Sequence, residues 1–596
     1  MTRSRLLAIL VGVFALILVS GCSTIPTSGP IGTNKATGGQ SAPPPVIDAQ
    51  APQDGATAED IVRGFINAGA NTRDDFETAR LYLSSKLAET WKPGAKTTLY
   101  ASDYTVKSGA AAQRSTAERP TATAESTPTA SEPTATTATV EFQIAGQIDA
   151  NGIKTSNGRG TEAELPVQLV REDGQWRISK IDDGLIIGEM FANQIFQPQY
   201  LYFYNSSFTT MVPDTRWFLS RPSVIAGSMV QALLKGPAPY LQGAVVSAFP
   251  DGSTIGVNSV PINSGQAVVE LPEDLLAGAS PQTVRHMVQQ LQFTLQGLSS
   301  VTSVMLTVNG VEVRAGTPAG FTPATSSVSV GTTMVGTSKD NRLVTVTGSS
   351  VDPLEGLDVV RELQPRKPAM SYDGQNFAFL GPNAANLYAV TTQKTYAPAV
   401  QGKALTAPSF NQVSVNSAIQ NWVWTTSRDG DTEVMAARVD DAIDQPVKVS
   451  APWISNLKVT DFRVSPDGSR ALIGAMSDGT LRILISGIVR DGNGAPRSLT
   501  EPIELTTREG QAQVRWSGLT DILTLGTDPE NEGVPERIRL DNADSEYFQG
   551  IANASAITSG NGANEIYVST DTSVMLLSGS KWEVFAKDVT QAAFPG

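Results

Sequence analysis

Apolar residues are distributed along this chain in four successive regimes. Residues 6–19 (LLAILVGVFALILV) form an uncharged run of 14 behind Arg3 and Arg5, too short to span a bilayer comfortably, and predict a secretory signal peptide over residues 1–21. Residues 22–56 are rich in Ser, Thr, Gly and Pro with almost no large apolar side chain, so they predict a tether that cannot order itself by burial. Periodicity begins at Thr57-Ala58-Glu59-Asp60, a capping-box-like start followed by Ile61, Val62, Phe65 and Ile66 at helical spacing. Phe76, Ala79, Leu81, Tyr82 and Leu83 predict a second helix, and residues 139–144 and 164–170 predict strands. Arg171-Glu172-Asp173-Gly174 should turn into a strand Gln175-Trp176-Arg177-Ile178. Helices followed by a meander give an α+β domain over residues 57–200, interrupted by a low-complexity insertion at 109–137.

The third regime covers residues 213–315. A helix over 222–234 (PSVIAGSMVQALL) begins with proline and stops at Lys235-Gly236-Pro237. A strand over 265–271 precedes a helix from Pro281 whose stripe is Val284, Val288, Leu291, Leu295 and Leu298. A strand over 301–308 then enters a tight turn at Asn309-Gly310. The chain's one histidine, His286, lies about 200° round the helix from Val284, which predicts a solvated surface position rather than a catalytic base.

From about residue 325 helical spacing vanishes. The segment Ala369-Met370-Ser371-Tyr372-Asp373-Gly374, followed by Asn376-Phe377-Ala378-Phe379-Leu380, has its best copy at Phe462-Arg463-Val464-Ser465-Pro466-Asp467-Gly468. Ser371 and Ser465 are 94 residues apart, or two repeats of about 47, with further copies near 420, 515 and 560. Strand-only repeats of that length predict a β-propeller over residues 325–596, with six blades favoured over five or seven. Residues 328–350 supply one degenerate blade, and Ala592-Ala593-Phe594-Pro595-Gly596 resembles the start of one more repeat that would close the ring. A pair of β-sandwiches is the alternative.

Composition narrows the chemistry. With 44 Lys and Arg against 58 Asp and Glu, the net charge is −14, which argues against nucleic acid as a partner. One cysteine and one histidine leave no base for Ser-His-Asp or Cys-His catalysis and no His/Cys metal site, and neither phosphate-loop motif occurs. No catalytic residue, metal or cofactor is therefore assigned. Ser427-Arg428-Asp429-Gly430-Asp431 lacks the spacing of a calcium loop and predicts a hairpin turn.

The single cysteine, Cys22, ends the tetrapeptide Val19-Ser20-Gly21-Cys22, which resembles the bacterial lipobox. That resemblance implies S-diacylglycerol and N-palmitoyl attachment at Cys22, with Val19, Ser20 and Gly21 read by the processing enzymes, and a mature protein anchored rather than spanning. The roughly 34 residues after Cys22, as a flexible coil, would reach ~30 to 35 Å. The order of elements in 57–200 and its ending Asp173-Gly174-Gln175-Trp176-Arg177-Ile178 resemble nuclear-transport-factor-2-like domains. The succession Leu233-Leu234-Lys235-Gly236-Pro237, Pro250-Asp251-Gly252-Ser253, Val268-Val269-Glu270-Leu271-Pro272, helix, Val301-Thr302-Ser303-Val304, Val308-Asn309-Gly310 resembles the spore-germination-M-like (GerMN) domain. Taken in order, the parts resemble the LpqB family of actinobacterial lipoproteins. The resemblance implies a non-enzymatic lipoprotein on the extracytoplasmic face of the cell membrane, accessory to the MtrA/MtrB two-component system. Its implied partner is the extracytoplasmic domain of the MtrB-like sensor histidine kinase that governs cell-wall homeostasis and division. Two other readings stay open: an envelope enzyme acting on wall polysaccharide through paired carboxylates in a propeller funnel, and a solute-binding lipoprotein.

Overall fold

A computed structural model describes residues 49–71, 75–109, 134–221, 224–256, 259–314, 316, 318–391, 397–439, 445–527, 532–541 and 545–596. The lipobox Val19 to Cys22, the signal peptide and most of the expected tether lie outside these residues, as does Pro222 at the expected start of its helix.

In the first domain Thr57 and Asp60 close a reciprocal capping box on the helix Ala58–Ala68, which buries Ile61, Val62, Phe65 and Ile66. A five-stranded sheet packs against that face in the order Gln175–Lys180, Lys154–Glu172, Ala135–Asp149, Lys96–Ser108, Leu185–Gly188. Only the last pair is parallel. Asp173 and Gly174 both take positive φ, 50° and 77°, and make the expected two-residue hairpin turn.

Three sequence expectations shift here. The second helix is only Glu77–Arg80, entered through Phe76 in the left-handed region, and Leu81 is 52% exposed. The strand Ala135–Asp149 begins inside the expected insertion 109–137, because Gly109 N–H already donates to Thr137 O at 2.8 Å. Residues 49–56, expected as tether, are held by the domain: Tyr82 Oη donates to Gln50 O at 2.7 Å, and Gly55 N–H donates to Gln175 Oε1 at 2.8 Å.

A long hairpin, Phe196–Tyr204 with Met211–Leu219, spans the boundary that sequence places between residues 200 and 213. Phe196 and Trp217 sit in the core of the first domain, whereas Leu201, Phe203 and Val212 sit in the next. The two ends of one hairpin thus serve different cores, so its sequence carries no break in composition. The middle domain lays the helices Ile225–Leu234 and Pro281–Leu295 on a four-stranded sheet whose central pair, Gln266–Glu270 and Ser303–Val308, is parallel. Asn309 and Gly310 turn that sheet into its edge strand Val311–Glu312.

Between Thr333 and Ala593 six antiparallel sheets of four or five strands follow one another among the described residues. The first is built from Thr333–Ser338, Leu343–Thr347 and Ser350–Pro353, and Val589–Ala593 joins it as the fourth strand, closing the ring. Ser371 and Ser465 directly follow the innermost strands Arg366–Met370 and Lys458–Val464 of the second and fourth sheets, as the 94-residue spacing requires. Each serine hydroxyl meets its aspartate, at 2.5 Å for Asp373 and 2.8 Å for Asp467, and accepts the N–H five residues on. Asp429 and Asp431 pair across Gly430, so that segment is a hairpin.

The middle domain and the propeller are not separate bodies. One apolar cluster contains Met229, Leu291 and Tyr240 of the former with Leu472, Ile483 and Trp516 of the latter.

Candidate functional site

The innermost strands of the propeller sheets converge on an axial channel with a partly open cavity of about 100 Å³. Asp461, on the fourth sheet, receives Arg515 Nη1 from the fifth sheet at 2.6 Å and lies 2.9 Å from Nε of Arg463. Val514 N–H adds a hydrogen bond at 3.3 Å. Burial pushes this carboxyl up, but Arg463, Arg515 and Lys367 outweigh it and hold Asp461 below its ordinary range. Burial, with repulsion from Arg515, pulls the Arg463 guanidinium down to about 9, which leaves it protonated at neutral pH. Lys367, from the second sheet, is also lowered by burial. The cluster therefore carries three cations around one carboxylate, and Asp461 is the sole Asp or Glu lining the channel.

Sequence reading misses these residues. Arg463 and Arg515 stand two positions before Ser465 and Ser517, so aligning the repeats places both side chains at one level of the ring. Lys367 carries no such signal.

A second set of buried ions ties the domains together. Asp214 and Arg216 on the long hairpin pair at 2.7 Å with side chains 0% and 1% exposed. Arg216 also donates to Asn151 O of the first domain and Gly236 O of the middle domain. At the propeller, Arg470 pairs with Asp467 at 2.6 Å and lies over the Trp516 ring at 4.7 Å. Thr500 Oγ1 accepts from Gly487 N–H at 2.8 Å and donates to Tyr240 O at 2.6 Å, a direct relay from propeller to middle domain.

His286 is not the solvated residue its helical position predicts. Its ring stacks on Phe208 at 4.7 Å and meets Tyr204 and Phe321 at 5.2 Å each, because two loops cover the helix face opposite the main stripe. Desolvation lowers its pKa below 6.5. As pH falls through 6.5 the unfolded chain takes up this proton before the folded one, so stability drops on the acid side of that value. His286→Phe should flatten this difference, read as a smaller shift of the urea midpoint between pH 7.5 and 5.5 than in the wild type.

A further cleft of about 540 Å³ opens in the first domain beside Arg63, Tyr82, Tyr100 and Phe191. Phe191, on its wall, is 45% exposed, and its chain neighbour Met190 is 81% exposed. Among the described residues no group of His, Cys, Asp and Glu is placed to hold a metal, and no helix is long and apolar enough to cross a membrane.

Comparison with known proteins matches each part. Residues 51–192 match the family described as Lipoprotein LpqB, N-terminal domain, and 200–314 that described as Sporulation and spore germination. Residues 341–595 match the Lipoprotein LpqB beta-propeller domain. The first match begins within the expected tether and the second before residue 213, as the packing of residues 49–56 and of the long hairpin requires. Lipoprotein LpqB of Cutibacterium acnes is 30% identical over 50% of this chain and 46% of its own length. Lipoprotein LpqB of Streptomyces coelicolor is 25% identical over 100% of this chain and 98% of its own. TolB of Acinetobacter baumannii aligns with 44% of this chain and 66% of its own at 15% identity and a TM-score of 0.32. Two domains matching under one family description, with a relative aligned from end to end, fix the assignment: the chain belongs to the LpqB family of actinobacterial lipoproteins.

Proposed function

We propose that this lipoprotein is held by lipid at Cys22 on the extracytoplasmic face of the cell membrane, where it binds the outer domain of an MtrB-like sensor histidine kinase. Through that contact it modulates the signalling that governs cell-wall homeostasis and division, and it catalyses no reaction itself. The observation that carries this reading is the shared core of the middle domain and propeller, with Arg216 fastening the first domain to the same body. Such a body passes a displacement at one end to the other with little loss, as a regulator acting on a membrane partner must. The polysaccharide-hydrolase alternative needs two carboxyl groups facing a substrate. The channel offers one, Asp461, and two guanidinium groups already engage it.

The test is photocrosslinking of the full-length chain in intact cells, from reporters on the first-domain rim and on the propeller. Recovery of a sensor kinase with either reporter is the expected result. Recovery of none, or turnover of purified wall fragments by the soluble protein, would replace this reading with the enzymatic one. Mass spectrometry of the mature N-terminus checks the anchor independently, since an unmodified Cys22 contradicts it.

A further inference from the structure

We propose that the propeller channel binds a small oxyanion, a carboxylate or phosphate group, against Arg463, Arg515 and Lys367. The site stands whether or not the protein contacts a sensor kinase.

The first argument is charge surplus. A buried ion pair made for stability matches one cation to one carboxylate, since each unmatched buried charge costs several kcal/mol, about 3–5 when a partner is removed. Here Asp461 meets three cations, and it is the one acid acting on either Arg463 or Lys367. One buried guanidinium is thus left without a carboxylate of its own, and Lys367, exposed beside it, adds a further positive charge, in a chain whose net charge is −14.

The second argument is an unmet donor. Arg463 is 5% exposed; its Nη1 donates to Pro408 O at 2.6 Å and its Nε faces Asp461, but Nη2 has no hydrogen-bond partner. Nη2 is itself shielded from the channel, but Arg463 lines the wall, so an oxyanion there would sit beside a guanidinium whose charge no second carboxylate meets. Burial is what lowers this guanidinium, and an arriving anion offsets that directly.

Third, the space is selective. About 100 Å³ suits a single carboxylate or phosphate group and is well short of the roughly 300–1,000 Å³ of ordinary cofactor pockets. The channel wall adds the neutral polar side chains Ser409, whose hydroxyl accepts from Val464 N–H and keeps its own proton, and Gln513, which has a second amide N–H beyond the one given to Ser555 O. The group could belong to a free small molecule or to an acidic side chain presented by a peptide.

Isothermal titration of the soluble chain from residue 23 onward, in low-chloride buffer, separates these sources with three probes: inorganic phosphate, citrate and a tetraglutamate peptide. Saturable binding of phosphate or citrate assigns a free anion, and binding of tetraglutamate alone assigns a carboxylate presented by a chain. Either result supports the site if Arg515→Gln weakens it tenfold or more. Lys367→Gln, at an exposed residue that leaves the Asp461 pairs intact, should weaken it at least threefold with an unchanged melting profile. No saturation with any of the three probes means a channel filled by water and overturns the proposal. Unchanged affinity in Lys367→Gln does so as well.

Discussion

Gly487→Val should uncouple the middle domain from the propeller, turning one cooperative unfolding transition into two. A Cβ at residue 487 would stand 2.5 Å from Tyr240 O and 2.7 Å from Ala244 Cβ, both across the interface. Its φ is not in the left-handed region, so close approach alone explains the glycine. The neighbours have little room to yield. Tyr240 O is fixed by Thr500 Oγ1, which is itself fixed by Gly487 N–H. Overpacking of a closed interior costs about 1–3 kcal/mol, and loss of the Thr500 relay adds about 1 kcal/mol for each hydrogen bond broken. Scanning calorimetry should therefore show the propeller melting near its original temperature while a second, earlier transition appears. Gly492→Val is the matched control, because a Cβ at that exposed glycine would meet nothing within 4 Å, and it should melt as the wild type does. A single unshifted transition in Gly487→Val would mean that the two domains already move independently.

What sequence reveals tracks how local each determinant is. The capping box at Thr57, the Asp173-Gly174 and Asn309-Gly310 turns and the Ser-Asp-Gly turns at Ser371 and Ser465 are all legible, because each is a contact within five residues. Ring closure is legible from the terminal repeat fragment, since an unpaired strand at each end of such an array demands the other. Three things are not. Sequence sets the domain boundary at residue 213, but the hairpin 196–219 buries Phe196 and Trp217 in one core and Leu201, Phe203 and Val212 in the other, and an apolar strand pair reads the same whichever core it enters. The helix alone puts His286 in solvent, whereas Phe208 and Phe321 reach it from loops 78 and 35 residues away in the chain. Residues 49–56 look like tether because their anchors are backbone groups, which composition cannot display.

The candidate site shows the same division. Arg463 and Arg515 lie in view within repeats that align, but a single arginine on a strand signals nothing until the ring closes and stacks it beside its copy. A division of the chain into residues 57–315 and 325–596, natural from the sequence, is likewise ruled out by geometry. A cut there exposes Leu472, Ile483 and Trp516 on one fragment and Met229 and Leu291 on the other. Partner contacts are accordingly sought with the intact chain.

Arg470→Met should be the most destabilising single substitution at this interface, lowering stability by about 3–5 kcal/mol in urea unfolding. Asp467 and Arg470 both have side chains 0% exposed, and Arg470 donates to Asp467 Oδ2 through Nε at 3.1 Å and Nη2 at 2.6 Å. Nη2 also reaches Leu519 O at 2.8 Å, while the guanidinium covers Trp516. Methionine keeps much of that apolar contact, so what it removes is the charge and its donors. Asp467 is then left buried with only the Ser465 hydroxyl and Ser469 N–H on its other oxygen. The second sheet shows what the turn needs by itself. There Asn376 occupies the position of Arg470, and Asp373 Oδ2 is satisfied by Asn421 Nδ2 at 3.0 Å, with no guanidinium involved. The turn is thus indifferent to arginine; the charge at 470 serves Asp467 and the interface. It follows that the double variant Asp467→Asn with Arg470→Met should recover more than half of the loss, because Asn keeps the acceptor used by Ser465 and Ser469 and no charge remains unpaired. Equal stability of the single and double variants would show instead that the loss came from packing against Trp516 and Leu519.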